Sequence, residues 1–176
     1  MPSFLATARS NKLPSNSLAN PTSEAQFLGS DGNPLICPIE GSQVLQTPGN
    51  QRRFKLSIAG YGTSTGANNL VIKLYLGTSS TIANNGTAFL SSGNIAMNST
   101  NQNWFLNVEL TYDTQSKQIG GIFYGFGAAG LIDLTAITMT STGSFSDTAE
   151  GQGITITATC AGTSSHVVTC FELIPD

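Results

Sequence analysis

The sequence of 176 residues has few charged side chains: seven Lys or Arg and ten Asp or Glu, which together make 10%. An average soluble protein has about 25%. A nucleic-acid backbone is bound by clustered Lys and Arg, so this balance, with a net charge of −3, argues against a nucleic-acid partner. The one basic cluster, Arg52, Arg53 and Lys55, is interpreted as a solvated strand edge, where charge blocks unwanted pairing.

Histidine and cysteine are also scarce, with one and three residues. No C-x-x-C pair is present, so the spacing typical of zinc ligands is missing, and we expect neither a metal nor another cofactor. Cys37, Cys160 and Cys170 cannot all be paired. Buried thiols are favoured, because disulfide-stapled domains are shorter and richer in cysteine. A bond between Cys160 and Cys170, on consecutive predicted strands, stays open.

Long hydrophobic runs are missing as well. No run approaches the roughly 20 apolar residues that span a bilayer. The apolar patch at residues 4–6 is too short for the core of a signal peptide. We therefore expect no membrane partner and synthesis in the cytoplasm.

The alternation of apolar and polar residues is the strongest pattern that the sequence does contain. In Trp104–Tyr112 all even positions are apolar, and the odd positions other than Phe105 are polar, which predicts a strand with one face in a core. A polar turn and a second apolar run, Ile119–Phe126, follow, so we expect a hairpin at the centre of an antiparallel sheet. Segments Phe54–Ile58, Leu70–Leu76 and Ile154–Cys160 alternate in the same way.

Turn signals divide the chain into about eight to ten strands with no convincing amphipathic helix. Gly60–Asn69 is interpreted as a glycine-rich loop, and Leu131–Met139 as a strand. Strands at this spacing predict an all-β fold, an antiparallel β-sandwich of jelly-roll type.

Residues 1–33 differ from the rest of the sequence. Prolines interrupt them, and they lack the periodic pattern of apolar residues that is typical of a strand or a helix. We expect an extended N-terminal arm here and the jelly-roll domain at residues 34–176. Such an arm is either disordered or laid along a partner. Its expected anchors on a partner are Phe4, Leu5, Arg9, Lys12 and Leu13.

Two short patterns resemble catalytic motifs, and neither has the right context. Gly62–Gly66 matches G-x-S-x-G with Ser64 as nucleophile and His166 later in the chain, but the motif needs a helix after the serine. Gly125–Gly130 matches G-x-G-x-x-G, which also needs a helix. A general base needs a neighbouring group from which it can take a proton. No such group is evident for His166, so it is interpreted as a solvated residue.

Glu109 and Asp113 are the remaining acid pair, from one strand and its following turn. A glycosidase needs two carboxylates facing each other across a cleft, at about 5 to 10 Å. We therefore expect no catalytic residue and no enzyme.

Three segments carry a resemblance to a known family: Leu74–Ala83, Asn103–Asp113 and Glu150–Ile154. They contain a strand ending in Gly-Thr-Ser, an Asn-Trp that opens the central strand, and Glu-Gly-Gln-Gly before a late strand. From Phe54 onward the chain resembles a family of β-sandwich proteins on tailed-bacteriophage particles. These proteins occur as capsid decoration (cement) proteins and as parts of tails or fibres.

The resemblance implies a structural protein of the virion without catalytic residues. On this basis we expect a homotrimer that binds the major capsid protein on the outer capsid surface and stabilises the shell. The alternative is a tail or fibre module that binds host glycans, with Tyr61 or Tyr75 as an aromatic platform.

Overall fold

The structure is a computed structural model that describes residues 8–9, 12–38, 51–66, 68–77, 88–97, 101–113, 118–127, 130–141 and 153–175. Thirteen strands are found in these residues, and none of them is helical. The strands are β1 (Ala8–Arg9), β2 (Leu18–Ala19), β3 (Ala25–Gln26), β4 (Ile36–Pro38), β5 (Gln51–Ser64), β6 (Asn68–Gly77), β7 (Leu90–Ser91), β8 (Ile95–Met97), β9 (Gln102–Asp113), β10 (Gln118–Gly127), β11 (Gly130–Ser141), β12 (Gly153–Cys160) and β13 (Ser164–Pro175).

The strands form two antiparallel sheets. Sheet A has seven strands in the order β1-β13-β5-β9-β10-β11, and β2 also pairs with β13. Sheet B has six strands in the order β3-β12-β6-β7, with β4 also on β12 and β8 also on β6. The inner faces of both sheets supply the buried hydrophobic core. The predicted fold, an all-β antiparallel sandwich of jelly-roll type, is confirmed.

The predicted hairpin lies at the centre of sheet A. Strand β9 pairs with β5 on one side and β10 on the other. Its inward residues are almost fully buried, as the alternation predicted: Trp104, Leu106, Val108, Leu110 and Tyr112. This strand therefore fixes which face of sheet A is core and which is surface.

The predicted loop at Gly60–Asn69 is wrong at both ends, because β5 continues through Gly60 and Gly62 to Ser64 and β6 begins at Asn68. Glycine is needed on the inward face here. An added Cβ at Gly60 would lie 2.3 Å from Cζ2 of Trp104, and one at Gly62 would lie 2.2 Å from Nδ1 of His166. These glycines make room for two large rings inside the sandwich and do not mark a turn.

The described part of the predicted arm is extended, and it contributes to both sheets. Strands β1 and β2 pair with β13, and β3 pairs with β12. Phe27 is fully buried in the core. A boundary at residue 33 stays a prediction, but residues 12–33 pack on the rest of the sandwich.

The expected strand edge is wrong for Lys55, but among the described strands Arg52 and Arg53 are paired on one side only, with β9. Strand β5 is paired with β9 from Gln51 to Gly62, whereas its pairing with β13 begins only at Phe54, so Lys55 has a neighbouring strand on both sides. Arg53 and Lys55 are exposed on the outer face of sheet A.

Most edges of the described sheets consist of strands of two or three residues. The one long edge strand, β11, has two register shifts against β10. Short strands and bulges both discourage pairing with another chain. This arrangement leaves the sheet faces as the larger surfaces for contact.

Candidate functional site

The outer face of sheet A carries most of the exposed large hydrophobic side chains among the described residues. Four of the five lie on it: Tyr61, Ile122, Phe126 and Ile174. Their strands are neighbours in the order β13-β5-β9-β10. An exposed apolar sheet face of this kind indicates a contact surface.

One end of this face, called the aromatic end, consists of Tyr61, Asn103, Phe105, Phe126 and Thr169. Phe105 and Phe126 are directly opposite each other on β9 and β10, and Tyr61 is opposite Asn103. Phe126 is 51% exposed. A shallow depression of about 270 Å³ lies here, lined by Asn103, Phe105, Phe126 and Thr169 together with Ala59, Gly60 and Trp104.

A row of hydrogen-bonded side chains crosses the middle of the face. Ser57 donates to Asn107 Oδ1 at 3.2 Å, and the Asn107 amide donates to the Tyr124 hydroxyl at 2.5 Å. The row runs across β5, β9 and β10, so it holds these side chains in fixed positions.

The other end, called the ionic end, consists of Arg53, Lys55, Glu109, Ile122 and Ile174. Lys55 is opposite Glu109 on one side and Ile174 on the other, and Ile122 is opposite Glu109. A depression of about 310 Å³ lies between Arg53, Lys55, Glu109 and Ile122. This end combines two exposed apolar side chains with charges of both signs.

Of the five residues expected to anchor the arm on a partner, the structure describes three. Phe4 and Leu5 lie outside the described residues. Arg9 is opposite Glu172 in the pairing of β1 with β13, two positions from Ile174. Glu172 is in turn opposite Ser57, so Arg9 is in register with the middle row of the face.

Lys12 and Leu13 make contacts within the chain. Lys12 Nζ is 3.1 Å from Asp31 Oδ2, and Leu13 packs half-buried on the core. Hydrogen bonds from the side chain and backbone of Asn33 lower the pKa of Asp31 to about 2, with help from Lys12. Leu13 is thus engaged in the fold, and Lys12 is held by a surface ion pair.

A second polar cluster lies on the outer face of sheet B, around Glu24. This carboxylate accepts hydrogen bonds from Lys73 Nζ at 2.7 Å, the Tyr75 hydroxyl at 2.5 Å and the Thr157 hydroxyl at 2.8 Å. Burial raises the pKa of Glu24, but these three donors and the charge of Lys73 outweigh it, so the pKa is lowered. The cluster ties residues just before β3 to strands β6 and β12.

Tyr75 is therefore no aromatic platform. Its side chain is buried, and its pKa is raised by burial and by the neighbouring Glu24. Tyr61 is exposed, as a platform requires.

Ser64 and His166 are brought to the same end of the sandwich interior. Gly62 is opposite His166, and Ser64 is opposite Ser164. The Ser64 hydroxyl accepts from the Asn68 amide at 3.0 Å, while neither ring nitrogen of His166 has a hydrogen-bond partner among the described residues. Both side chains are buried, so the predicted solvated His166 is wrong.

His166 is instead a neutral core residue. Burial lowers its pKa to about 4, because the charged imidazolium is poorly solvated inside the sandwich. Without a hydrogen bond to Ser64, the two residues do not form the pair that nucleophilic catalysis requires.

The other motif residues are also separated. Gly125 and Gly127 lie on β10 and Gly130 begins β11, so the glycine pattern spans two strands and not the start of a helix. Glu109 and Asp113 lie on one strand, four positions apart. That is roughly 13 Å along the strand, too far for a glycosidase pair.

No disulfide joins Cys37, Cys160 or Cys170. Cys160 faces the core from sheet B, whereas Cys170 lies half-buried in sheet A. Within the part of the chain that the structure describes, no group of three or more His, Cys, Asp or Glu side chains could hold a metal ion. The same residues include no helix long and apolar enough to cross a bilayer.

Sequence reasoning missed most of the outer-face residues. The signal for Phe105 was available, since it is a large apolar residue at an outward position of the alternating strand β9. No local signal places Phe126 beside Phe105 or Ile174 beside Lys55, because their strands are brought together only in the fold.

No family model and no curated protein matches the chain. Among solved structures it is similar to arcelin-5, a lectin-like defence protein from Phaseolus vulgaris, with 9% identity, 97% of this chain and 98% of that chain covered, and a TM-score of 0.44. It is similar to lectin I-B4 from Griffonia simplicifolia in its metal-free form, with 8% identity, 97% and 92% covered, and a TM-score of 0.39. A GH131 β-glucanase catalytic domain from Podospora anserina shares 12% identity over 72% of this chain and 66% of its own, with a TM-score of 0.29.

Proposed function

We propose that the protein is a bacteriophage capsid decoration protein, which binds the outer surface of the capsid shell and stabilises it without catalysing a reaction. The observation that carries this proposal is the ionic end of sheet A. Ile122 and Ile174 are each 37% exposed there, beside Arg53, Lys55 and Glu109. Apolar residues with charged neighbours are typical of a protein contact with a polar rim.

The arm belongs to the same contact. Arg9 on β1 is opposite Glu172, two positions along β13 from Ile174 of the ionic end. Phe4, Leu5 and Arg9 are the anchors of the arm that we propose to contact the major capsid protein. Lys12 and Leu13 support the arm from within the fold.

In the proposed mechanism, each bound copy of the protein adds contacts to the assembled shell. A protein that binds the assembled shell but not dissociated subunits stabilises the shell by mass action. A homotrimer would place three such surfaces on one particle site, and linked sites raise the effective concentration of each. The protein would thus be located on the virion after synthesis in the host cytoplasm.

Undecorated shells provide the test. Purified protein is mixed with them, bound protein is measured by co-sedimentation, and the rupture temperature of the shells is followed on heating. We expect saturable binding and a higher rupture temperature. Ile122→Asp should weaken binding at least tenfold, because a carboxylate would be desolvated in the contact.

Phe126→Asp is the matched control, since Phe126 lies on the same strand and face but at the aromatic end. It should bind shells as the unchanged protein does. Unchanged rupture temperature at saturating protein would refute shell stabilisation. Equal loss of binding in both variants would show that the ionic end is not the contact.

A further inference from the structure

The aromatic end and the ionic end are separate surfaces. Lys55 and Ala59 are four positions apart on β5, which is roughly 13 Å along a strand. The hydrogen-bonded row of Ser57, Asn107 and Tyr124 lies between them. A ligand at the aromatic end can therefore be bound while the ionic end is covered.

The chemistry of the aromatic end differs from that of the ionic end. Its side chains are aromatic rings, an amide and a hydroxyl: Tyr61, Phe105, Phe126, Asn103 and Thr169. None of them is charged. Shallow sites of this composition suit a ligand that has an apolar face and several hydroxyl groups, and they offer nothing to neutralise a phosphate or a carboxylate.

We infer that the aromatic end is a binding site for neutral carbohydrate. The exposed ring of Phe126 would stack on the C–H face of a pyranose, because the negative face of an aromatic ring attracts weakly positive hydrogens. Phe105, directly opposite on β9, extends the stacking surface. The sugar would bind in the depression beside these rings, which has a volume of about 270 Å³.

The polar groups around the rings set the orientation of the sugar. Asn103 is exposed on the rim and offers an amide donor and acceptor. The Thr169 hydroxyl donates to the Ala59 carbonyl at 3.3 Å, which leaves its lone pairs toward solvent for a sugar hydroxyl. Ala59, the outward-facing residue of β5 that lines the depression, contributes only a methyl group there. A few placed polar groups beside an apolar surface are the usual composition of a small-ligand site.

The test uses the full chain on an array of neutral and acidic glycans, followed by calorimetric titration with the best neutral oligosaccharide. We expect saturable binding to neutral glycans. Phe126→Ala should weaken that binding at least tenfold, whereas Ile122→Ala, on the same face of the same strand, should change it less than twofold. Asn103→Ala should weaken binding and alter the preference among sugar epimers.

Binding of no neutral glycan would overturn the inference, as would Phe126→Ala binding as tightly as the unchanged protein. Binding confined to acidic glycans and lost in Lys55→Gln would place the ligand at the ionic end and would also overturn it. The shell assay is independent of these results. Failure of glycan binding with intact shell binding refutes this site alone, and the reverse refutes shell decoration alone.

Discussion

Gly62 on β5 lies directly opposite His166 on β13, and the imidazole occupies the space that a side chain at Gly62 would need. The nearest approach of an added Cβ would be 2.2 Å, to Nδ1. The ring is fully buried, with both nitrogens lacking hydrogen-bond partners among the described residues. The imidazole of His166 can therefore occupy this position only because residue 62 has no side chain.

This arrangement predicts that Gly62→Ala destabilises the protein. The new methyl group would force the imidazole or the backbone of β13 to shift, and overpacking of a core costs about 1–3 kcal/mol. Urea denaturation of the variant measures the loss. Ala59→Ser, an outward position on the same strand, is the control and should change the free energy of unfolding by less than about 0.5 kcal/mol. Equal stability of Gly62→Ala and the unchanged protein would contradict the packing.

The buried imidazole also predicts a pH dependence of stability. Its pKa is about 4 in the folded chain and about 6.5 when unfolded. The unfolded state therefore binds the proton first, so stability is full above pH 6.5 and falls as the pH is lowered toward 4. The difference corresponds to about 3 kcal/mol.

Urea midpoints between pH 7.5 and 4 should show this loss, and His166→Leu should flatten it. An apolar side chain there leaves no polar atom without a partner, so the variant should be no less stable at pH 7. The lowered pKa of Glu24 adds a further loss in acid that both proteins share. Identical pH profiles would rule out His166 as the source.

The Glu24 cluster predicts that Glu24→Ala weakens the attachment of β3 to sheet B. The carboxylate accepts hydrogen bonds from Lys73, Tyr75 and Thr157, and removing one partner of such a group costs about 1–3 kcal/mol. Lys12→Gln is the comparison, because it breaks only the surface ion pair with Asp31 and should cost less than about 1 kcal/mol. Thermal unfolding distinguishes the two; a smaller effect for Glu24→Ala would argue against the cluster.

The N-terminal segment predicts a contrast between two neighbouring residues. Phe27 is fully buried, whereas Leu28 is 41% exposed. Phe27→Ala should cost about 3–5 kcal/mol, as for other buried aromatic residues. Leu28→Ala should cost less than about 1 kcal/mol, since little apolar surface is lost from the core. Comparable losses in chemical denaturation would mean that this segment is not part of the core.

Because the three cysteines differ in burial, we expect them to react with a thiol reagent at different rates. Burial raises the pKa of Cys37 to about 12, and Cys160 is also buried, whereas Cys170 is only half-buried. Because the thiolate is the reactive form, the folded protein should react first at Cys170, and all three thiols should react after unfolding. Cys170→Ser should remove the fast phase. A fast phase that survives this substitution would place the reactive thiol elsewhere.

The alternating strands could be predicted because the information is local. A period of two residues assigns each side chain to a face whatever its neighbours are, which is why the burial of Trp104 and its companions on β9 is as expected. The glycines of β5 are an exception, because they lie within a strand and not in the predicted loop. Glycine is usual in turns, and nothing near Gly60 in the sequence shows that it faces a tryptophan.

The candidate surface could be predicted only in part. Phe105 is an apolar residue on the polar side of its strand, and Tyr61 is one of the two aromatic platforms that the sequence suggests. The sequence predicts a solvated His166 because no partner for it is evident nearby, and that prediction is wrong. The burial of His166 depends on Gly62, which is far away in the sequence, and no local pattern reports such a contact.

The sequence by itself determined that this chain is all β and which side of each main strand is apolar, because both follow from side-chain alternation along the backbone. The tertiary structure alone decided that Phe105 meets Phe126, that Lys55 lies between Glu109 and Ile174, and that Glu24 holds three donors from two other strands. The physical reason is that strand pairing joins distant segments, and the choice of partner depends on packing of the whole core.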